Sequence, residues 1–417
     1  MIKAVKGTRD LLPPATAVWN HVEAVARQVF AAYNYQEIRT PILEQTVLFA
    51  RGVGEDTDIV TKEMYSFTDR DGTSLTLRPE CTASVIRSYI EHRLDQSPGV
   101  KKYYYLGPMF RRERPQKGRY RQFYQIGAEC IGSDSPFVDA EVIEMAVQLF
   151  RKLGLADVKL LLNSVGCRQC RPAYVAALRE KLKQVAPRMC RDCQRRSETN
   201  PLRVLDCKVP EDQAIIEELP SILEHLCPGC REHFDRVQRW LNDREIGYLI
   251  TPRLVRGLDY YTRTTFEIVH DALGAQDAVL GGGRYDGLAE ELGSKTPAPG
   301  MGFSIGEDRL VMVLEQLNPG GFRAQIDVFI APVGEAAILH AGQLAFELRE
   351  AGARVEMGMG GRLKRLLELS HKLGARYTLL VGDDEIATGK YALRDMNSGE
   401  QVAIAREELV NRFSSNY

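Results

Sequence analysis

The sequence predicts an α+β N-terminal region, a helical insertion within it, and a small α/β module at the end. Three observations carry this reading. Short β-rich runs and turns alternate after a first helix, in the manner of antiparallel pairing. Seven of the nine cysteines fall between positions 167 and 230, in a stretch helical in pattern and unlike both flanks in composition. After the linker signal Asn318-Pro319-Gly320-Gly321, strands and helices alternate. The implied domains are 1–317, interrupted at 167–240, then a linker at 318–325 and a module at 326–417.

The elements follow in order. Val18, Val22, Val25 and Val29 recur at helical spacing after Pro13-Pro14 and predict a helix over 15–33. Residues 37–41 and 74–78 read as strands. Runs 101–110 and 122–130 predict an antiparallel pair around the segment 111–121, which holds six basic residues in eleven. A helical period over 137–153 leads into a strand at 158–163. Strands return at 248–254 and 264–269, before Gly281-Gly282-Gly283. In the last module, strands at 326–330, 354–357 and 377–381 alternate with helices at 335–351 and 362–373, which predicts parallel pairing.

Composition narrows the function classes. The 417 residues carry 55 basic and 56 acidic groups, 44% hydrophobic and 27% charged residues. That is the profile of a globular chain and not a disordered one. The balanced charge argues against a generic nucleic-acid coat while allowing a local basic surface that grips one RNA. No run approaches the ~20 apolar residues of a membrane helix. Residues 1–8 lack the apolar core of a secretory signal, so a cytoplasmic location is expected.

Four constellations carry chemistry. Phe110-Arg111-Arg112-Glu113-Arg114-Pro115, returning through Arg121-Gln122-Phe123, offers an arginine for an α-phosphate and an aromatic ring for a base. Gly302-Phe303-Ser304-Ile305-Gly306-Glu307-Asp308-Arg309 brings small residues close to a ligand and adds a second phosphate fork. Arg256-Gly257-Leu258-Asp259-Tyr260-Tyr261 places a positive charge beside aromatic walls. Glu80 joins Gln125 and Glu129, which sit four apart on a strand and share a face. Each has a bland counterpart: strand arginines usually make structural ion pairs, Gly-Gly-Gly is usually a turn, and Glu80 can pair with Arg78.

Together these segments have a recognisable source. Residues 110–123 resemble motif 2 of the class II aminoacyl-tRNA synthetases, and Gly302 to Arg309 resembles their motif 3. Arg256 to Tyr261, Leu280-Gly281-Gly282-Gly283-Arg284-Tyr285-Asp286-Gly287-Leu288 and the opening Lys6-Gly7-Thr8-Arg9-Asp10 are similar to segments peculiar to histidyl-tRNA synthetases. The resemblance covers nearly the whole chain. It implies a six-stranded antiparallel catalytic sheet, an anticodon-binding module from about 326, a homodimer, and the substrates L-histidine, ATP with Mg²⁺, and tRNA(His). Arg111 and Arg256 fall on the family's catalytic arginines, and both also face the histidine. Glu113, Phe123 and Arg309 complete the ATP set with Arg111. Glu80, Cys81, Thr82, Gln125, Glu129, Tyr260 and Tyr261 fall on histidine-binding positions. Cys81 departs from the family's frequent glycine there. Arg119 and Arg121 lie in the loop expected to touch the tRNA acceptor end.

The cysteines form three C-x-x-C pairs, 167/170, 190/193 and 227/230. In a reducing compartment such spacing favours metal ligation. Joining the first two pairs conflicts with the helix expected over 172–185, which at 1.5 Å per residue holds them about 20 Å apart. The expected structural zinc therefore takes Cys167, Cys170, Cys227 and Cys230, clipping the base of the insertion. Cys190, Cys193 and Cys207 are left without an obvious fourth ligand. The alternative to a synthetase is the non-catalytic, synthetase-like regulatory subunit of ATP phosphoribosyltransferase. It would lack the Arg256 segment and the last module.

Overall fold

The computed structural model describes all residues except 1, 55–56, 117, 277, 323–325 and 415–417, and leaves aside the side chains of 274–276. Lys117 of the basic loop and part of the expected linker thus lie outside the described residues. The chain divides into two units, Met1–Gly321 and Phe322–Tyr417.

The strands of the first unit are β1 (Gln36–Glu37), β2 (Leu43–Gln45), β3 (Tyr65–Thr68), β4 (Ser74–Leu77), β5 (Lys101–Phe110), β6 (Gln122–Ile131), β7 (Lys159–Ser164), β8 (Leu249–Ile250), β9 (Thr262–Val269), β10 (Ala278–Arg284) and β11 (Gly300–Gly306). Eight form one sheet in the order β1-β5-β6-β11-β10-β9-β7-β8. This corrects the expected six-stranded antiparallel sheet. The six inner strands are antiparallel throughout. A two-residue strand then pairs in parallel at each edge, β1 on β5 and β8 on β7. Both edge runs were expected to be longer. β8 leaves its ladder at Thr251, just before Pro252, which has no N–H to give, and β1 leaves its ladder after Ile38. Short edges also deny other chains a template for pairing.

One face of this sheet is covered by helices. Helix Thr16–Ala32 buries Val22, Ala26, Val29 and Phe30, and Phe30 stacks on Tyr104 of β5 at 4.7 Å between ring centroids. Helices Pro136–Lys152 and Glu307–Leu317 complete the layer. Strand alternation turns Gln125 and Glu129 to the opposite face.

The insertion is helical, as its pattern predicts, with helices Cys170–Val185, Arg191–Thr199, Pro210–Glu217 and Pro228–Asp243. It has its own core, where Tyr174, Leu178, Leu182, Val204 and Ile216 pack with Cys170, Cys193, Cys207 and Cys230. Its last helix returns to the sheet layer. There His233 Nε2 meets Asp139 Oδ2 at 2.7 Å, and Asp139 Oδ1 accepts from Arg284 Nε at 2.7 Å. Arg284 is 0% exposed, the largest fully buried side chain of the unit.

The second unit has strands β12 (Ile326–Pro332), β13 (Val355–Met357), β14 (Ala375–Val381), β15 (Lys390–Asp395) and β16 (Gln401–Ala405), in the order β13-β12-β14-β15-β16. The expected parallel pairing holds for the first three. The antiparallel β15 and β16 extend it into a mixed sheet. Helices Glu335–Glu350 and Leu363–Leu373 lie where the alternation predicts them.

Candidate active site

The open face of the large sheet carries a cavity of about 390 Å³, within the range of small-molecule sites. Gln125 and Glu129 of β6, Gly302 and Ser304 of β11, and Gly281 of β10 are among its floor residues. Glu80, Thr82, Arg111, Glu113, Phe123 and the turn Arg256 to Leu258 form walls, with Tyr260, Tyr261 and Arg309.

One end is a buried set of acids and hydroxyls. Glu80 accepts from the N–H groups of Thr82 at 2.8 Å and Ala83 at 2.9 Å, which lie at the start of helix Thr82–Glu91. These are the donors that a helix start leaves unpaired. Glu80 does not pair with Arg78, which donates to the carbonyls of Thr40 and Pro108. Glu129 is 1% exposed and accepts from Thr82 Oγ1 at 2.8 Å and the Tyr285 hydroxyl at 2.6 Å. Burial holds its pKa up to about 8 and raises that of Glu80 as well. Tyr260 donates to Glu80 at 3.5 Å and packs on Tyr261, ring centroids 4.7 Å apart.

The other end is cationic. Arg111 is steered by its Nε–H to Pro79 O at 2.9 Å, with its guanidinium 5.2 Å from the Phe123 ring centroid. Arg119 donates to Glu113 at 3.1 Å. Arg309 donates to Ala278 O at 2.7 Å. Arg256 is paired with Glu267 of β9. Gly281 lies so close beneath the Arg256 guanidinium that a Cβ there would collide with it, and Gly302 stands in the same relation to the Glu129 carboxylate. These two glycines are required by close approach.

Buried polar atoms normally find a partner. Gln125 Oε1 and Arg256 Nε have none within the protein, and both residues line this one cavity. An acceptor and a donor are thus held ready for a ligand, between a carboxylate end and an arginine end.

Comparison with known proteins agrees with this chemistry. A family model described as histidyl-tRNA synthetase matches residues 7–310, and one described as an anticodon binding domain matches 327–416. A histidine–tRNA ligase of Solibacter usitatus is 66% identical over 415 residues, covering 100% of this chain and 99% of that protein. The chain belongs to the histidyl-tRNA synthetase family. A second histidine–tRNA ligase, from Koribacter versatilis, is 55% identical over 98% of this chain and 95% of its own length. The crystal structure of apo S. aureus histidyl-tRNA synthetase superposes with a TM-score of 0.81 at 37% identity, covering 100% of both chains. The two matched models make the chain a catalytic domain followed by an anticodon-binding domain.

The residues that the family resemblance singled out mostly converge. Glu80, Thr82, Arg111, Glu113, Arg119, Phe123, Gln125, Glu129, Arg256, Tyr260, Tyr261 and Arg309 all line the cavity. Two do not. The Cys81 thiol turns into the core beside Thr40 Oγ1, at 3.5 Å, and burial pushes its pKa up to about 12. Arg121 gives its backbone N–H to Gly7 O at 2.7 Å, and its side chain packs against Gly7. Among the further lining residues, Tyr285 and Glu267 touch residues of the site and escaped the sequence reading as individuals. Tyr285 was legible only as part of the glycine segment, and Glu267 only by β-strand phase opposite Gly281.

Seven of the nine cysteines gather as two groups. Cys167 Sγ lies 3.7 Å from Cys170 Sγ and 3.9 Å from Cys227 Sγ, and with Cys230 the four sulfurs lie within 4.8 Å of one another. Backbone N–H groups of Gln169 and Cys227 point at the Cys167 and Cys170 sulfurs, at 3.4 and 3.1 Å. Two thiolates on one tetrahedral zinc stand about 3.8 Å apart, so this donor set fits zinc. Cys190 and Cys193 belong to the other group, and helix Cys170–Val185 separates them from the first.

Proposed function

We propose that the chain attaches L-histidine to tRNA(His) in two steps. The histidine carboxylate oxygen attacks the α-phosphorus of MgATP, the α–β bridging P–O bond breaks, and pyrophosphate leaves. A terminal ribose hydroxyl of the tRNA then attacks the carbonyl carbon of histidyl-adenylate, and AMP leaves. The observation that carries this is the two-ended cavity, with four arginines at one end and a buried carboxylate pair at the other, in a chain 66% identical to a histidine–tRNA ligase.

Negative charge grows on the α-phosphate oxygens and the departing pyrophosphate, where fixed cations need no reorganisation. Arg111 and Arg256 serve the α-phosphate from two sides, and Arg309 the distal phosphates. Glu113 and Phe123 hold the adenine. Glu129, Glu80 and Gln125 take the polar atoms of histidine, with Thr82, Tyr260 and Tyr261 fixing their positions. Cys81 acts through the backbone turn between Glu80 and Thr82. A site that hydrogen-bonds both imidazole nitrogens rejects isosteres lacking them, because its own buried groups are then left unpaired. Arg119 stands at the mouth for the tRNA acceptor end, and Arg121 anchors the same loop.

A structural Zn²⁺ on Cys167, Cys170, Cys227 and Cys230 closes the base of the insertion. The exposed Ile42, Leu43, Val47 and Phe67 around β2 and β3 support a homodimer built on the N-terminal part. No helix among the described residues is long and apolar enough to cross a membrane. The regulatory-subunit alternative leaves the Arg256–Gly281 contact and the anticodon-binding domain without a use. Charging of a tRNA(His) transcript by histidine alone among the amino acids tests the reading; charging by none, with folded protein and MgATP supplied, would overturn it.

A further inference from the structure

Cys190, Cys193 and Cys207 are one ligand short in the sequence. The fold supplies it: Asp212, in the first turn of helix Pro210–Glu217, joins them so that the four ligand atoms lie within 4.8 Å of one another. Cys190 Sγ stands 3.9 Å from Cys207 Sγ, and Cys207 Sγ 3.2 Å from Asp212 Oδ2. Ligands on one tetrahedral zinc are about 3.8 Å apart for two thiolates and about 3.5 Å for a thiolate and a carboxylate. A disulfide would bring sulfurs to about 2.05 Å.

We propose that Cys190, Cys193, Cys207 and Asp212 bind a second structural zinc ion, independent of the four-cysteine group. Burial supports a cation here. Asp212 is 2% exposed, yet makes no salt bridge with a cationic side chain among the described residues. Its carboxylate is held only by neutral donors, the Cys190 N–H and the Cys207 thiol, and a divalent ion supplies the opposite charge that they lack. Outer contacts already orient the ligands: the Cys190 N–H donates to both Asp212 oxygens, at 3.1 and 3.2 Å, and the Val209 N–H to Cys207 Sγ at 3.5 Å. The local design repeats that of the first group. Cys190 precedes helix Arg191–Thr199 with Cys193 in its first turn, as Cys227 precedes helix Pro228–Asp243 with Cys230 in its first turn.

The position gives the ion a purpose. Asp206 and Lys208, on either side of Cys207, line the nucleotide cavity. Arg203, one turn earlier, donates to Arg256 O at 3.4 Å. Pinning Cys207 therefore pins the wall against which the Arg256 turn rests.

The test is zinc counted by mass spectrometry on full-length protein, with cobalt(II) as the optical probe. Wild type should hold two equivalents per chain. Cys193→Ser and, separately, the double variant Cys170→Ser/Cys227→Ser should each hold one. Asp212→Cys should keep two, and its cobalt form should show more thiolate charge-transfer absorption than wild type. Because Asp212→Cys retains four ligands, it reports even where Cys193→Ser fails to fold. If Cys193→Ser removes zinc while the double variant removes none, the second site stands and the first does not. If wild type holds one equivalent or fewer after zinc loading, and Asp212→Cys leaves the cobalt spectrum unchanged, the second site is wrong.

Discussion

Glu129 is the side chain whose environment most directly predicts behaviour. Burial raises its folded pKa to about 8, so between the unfolded value of about 4.3 and 8 the folded state holds a proton that the unfolded state has released. Stability from this group is complete below the lower value and falls as pH rises through the upper one. In Glu129→Gln the titration is gone. Without histidine, the difference in Tm should shift in the variant's favour between pH 5 and pH 8.5, as thermal denaturation across that range would show. The same variant should raise the KM for histidine by about 10- to 100-fold, the cost of leaving a buried polar group of the ligand without its partner. A pH-independent Tm difference would mean that Glu129 ionises normally.

Gly281 makes a second prediction at this scale. Its missing Cβ is the space occupied by the Arg256 guanidinium. Gly281→Ala should leave the Tm within a few degrees and lower kcat more than 100-fold, since a misplacement of about 1 Å costs that much. A mild kcat effect would show that Arg256 is not held by this floor. The glycine triplet, read in isolation as a turn, is a strand whose alternate faces serve Arg256 and the aromatic core. Sequence separates those two uses only by phase.

Among elements, the joint between the sheet layer and the insertion rests on Arg284, Asp139 and His233. All three are buried, and Arg284 also donates to Asp286 and to Ser133 O. Removing Asp139 deprives the fully buried Arg284 of one of its two carboxylates and His233 of its acceptor, with a cost toward the lower end of the about 3–5 kcal/mol of a broken buried pair. Asp139→Ala should therefore be strongly destabilised in urea unfolding, whereas Glu232→Ala beside His233, where Arg236 and Glu232 form an exposed pair, should cost under about 1 kcal/mol. Equal costs would contradict the joint. Elements with long periodic patterns, such as 15–33 and 101–130, were legible in the sequence. The edge strands were not: Pro252 ends the pairing of β8 earlier than residue preference implies, and β1 leaves the sheet after Ile38, before Pro41. Asp212 was invisible as a ligand for a different reason: its proximity to the three cysteines comes from the insertion's own core and not from spacing.

At the scale of the whole molecule, the stretch matched by the synthetase family model and the stretch matched by the anticodon-binding model fall in separate units, each with its own core. A chain ending at Gly321 should retain histidine-dependent pyrophosphate exchange within about tenfold and lose most charging of tRNA(His). Loss of both would tie adenylation to the second unit.

The central claim is that one cavity, cationic at one end and acidic at the other, makes histidyl-adenylate with Arg256 as the fixed cation at the α-phosphate. Exchange of labelled pyrophosphate into ATP without tRNA, measured for wild type and Arg256→Ala, tests it most directly. The account predicts exchange with histidine and with no other amino acid, reduced by more than 100-fold in the variant, as befits loss of a preorganised cation. Histidine-independent exchange, or a folded Arg256→Ala protein as active as wild type, would contradict it.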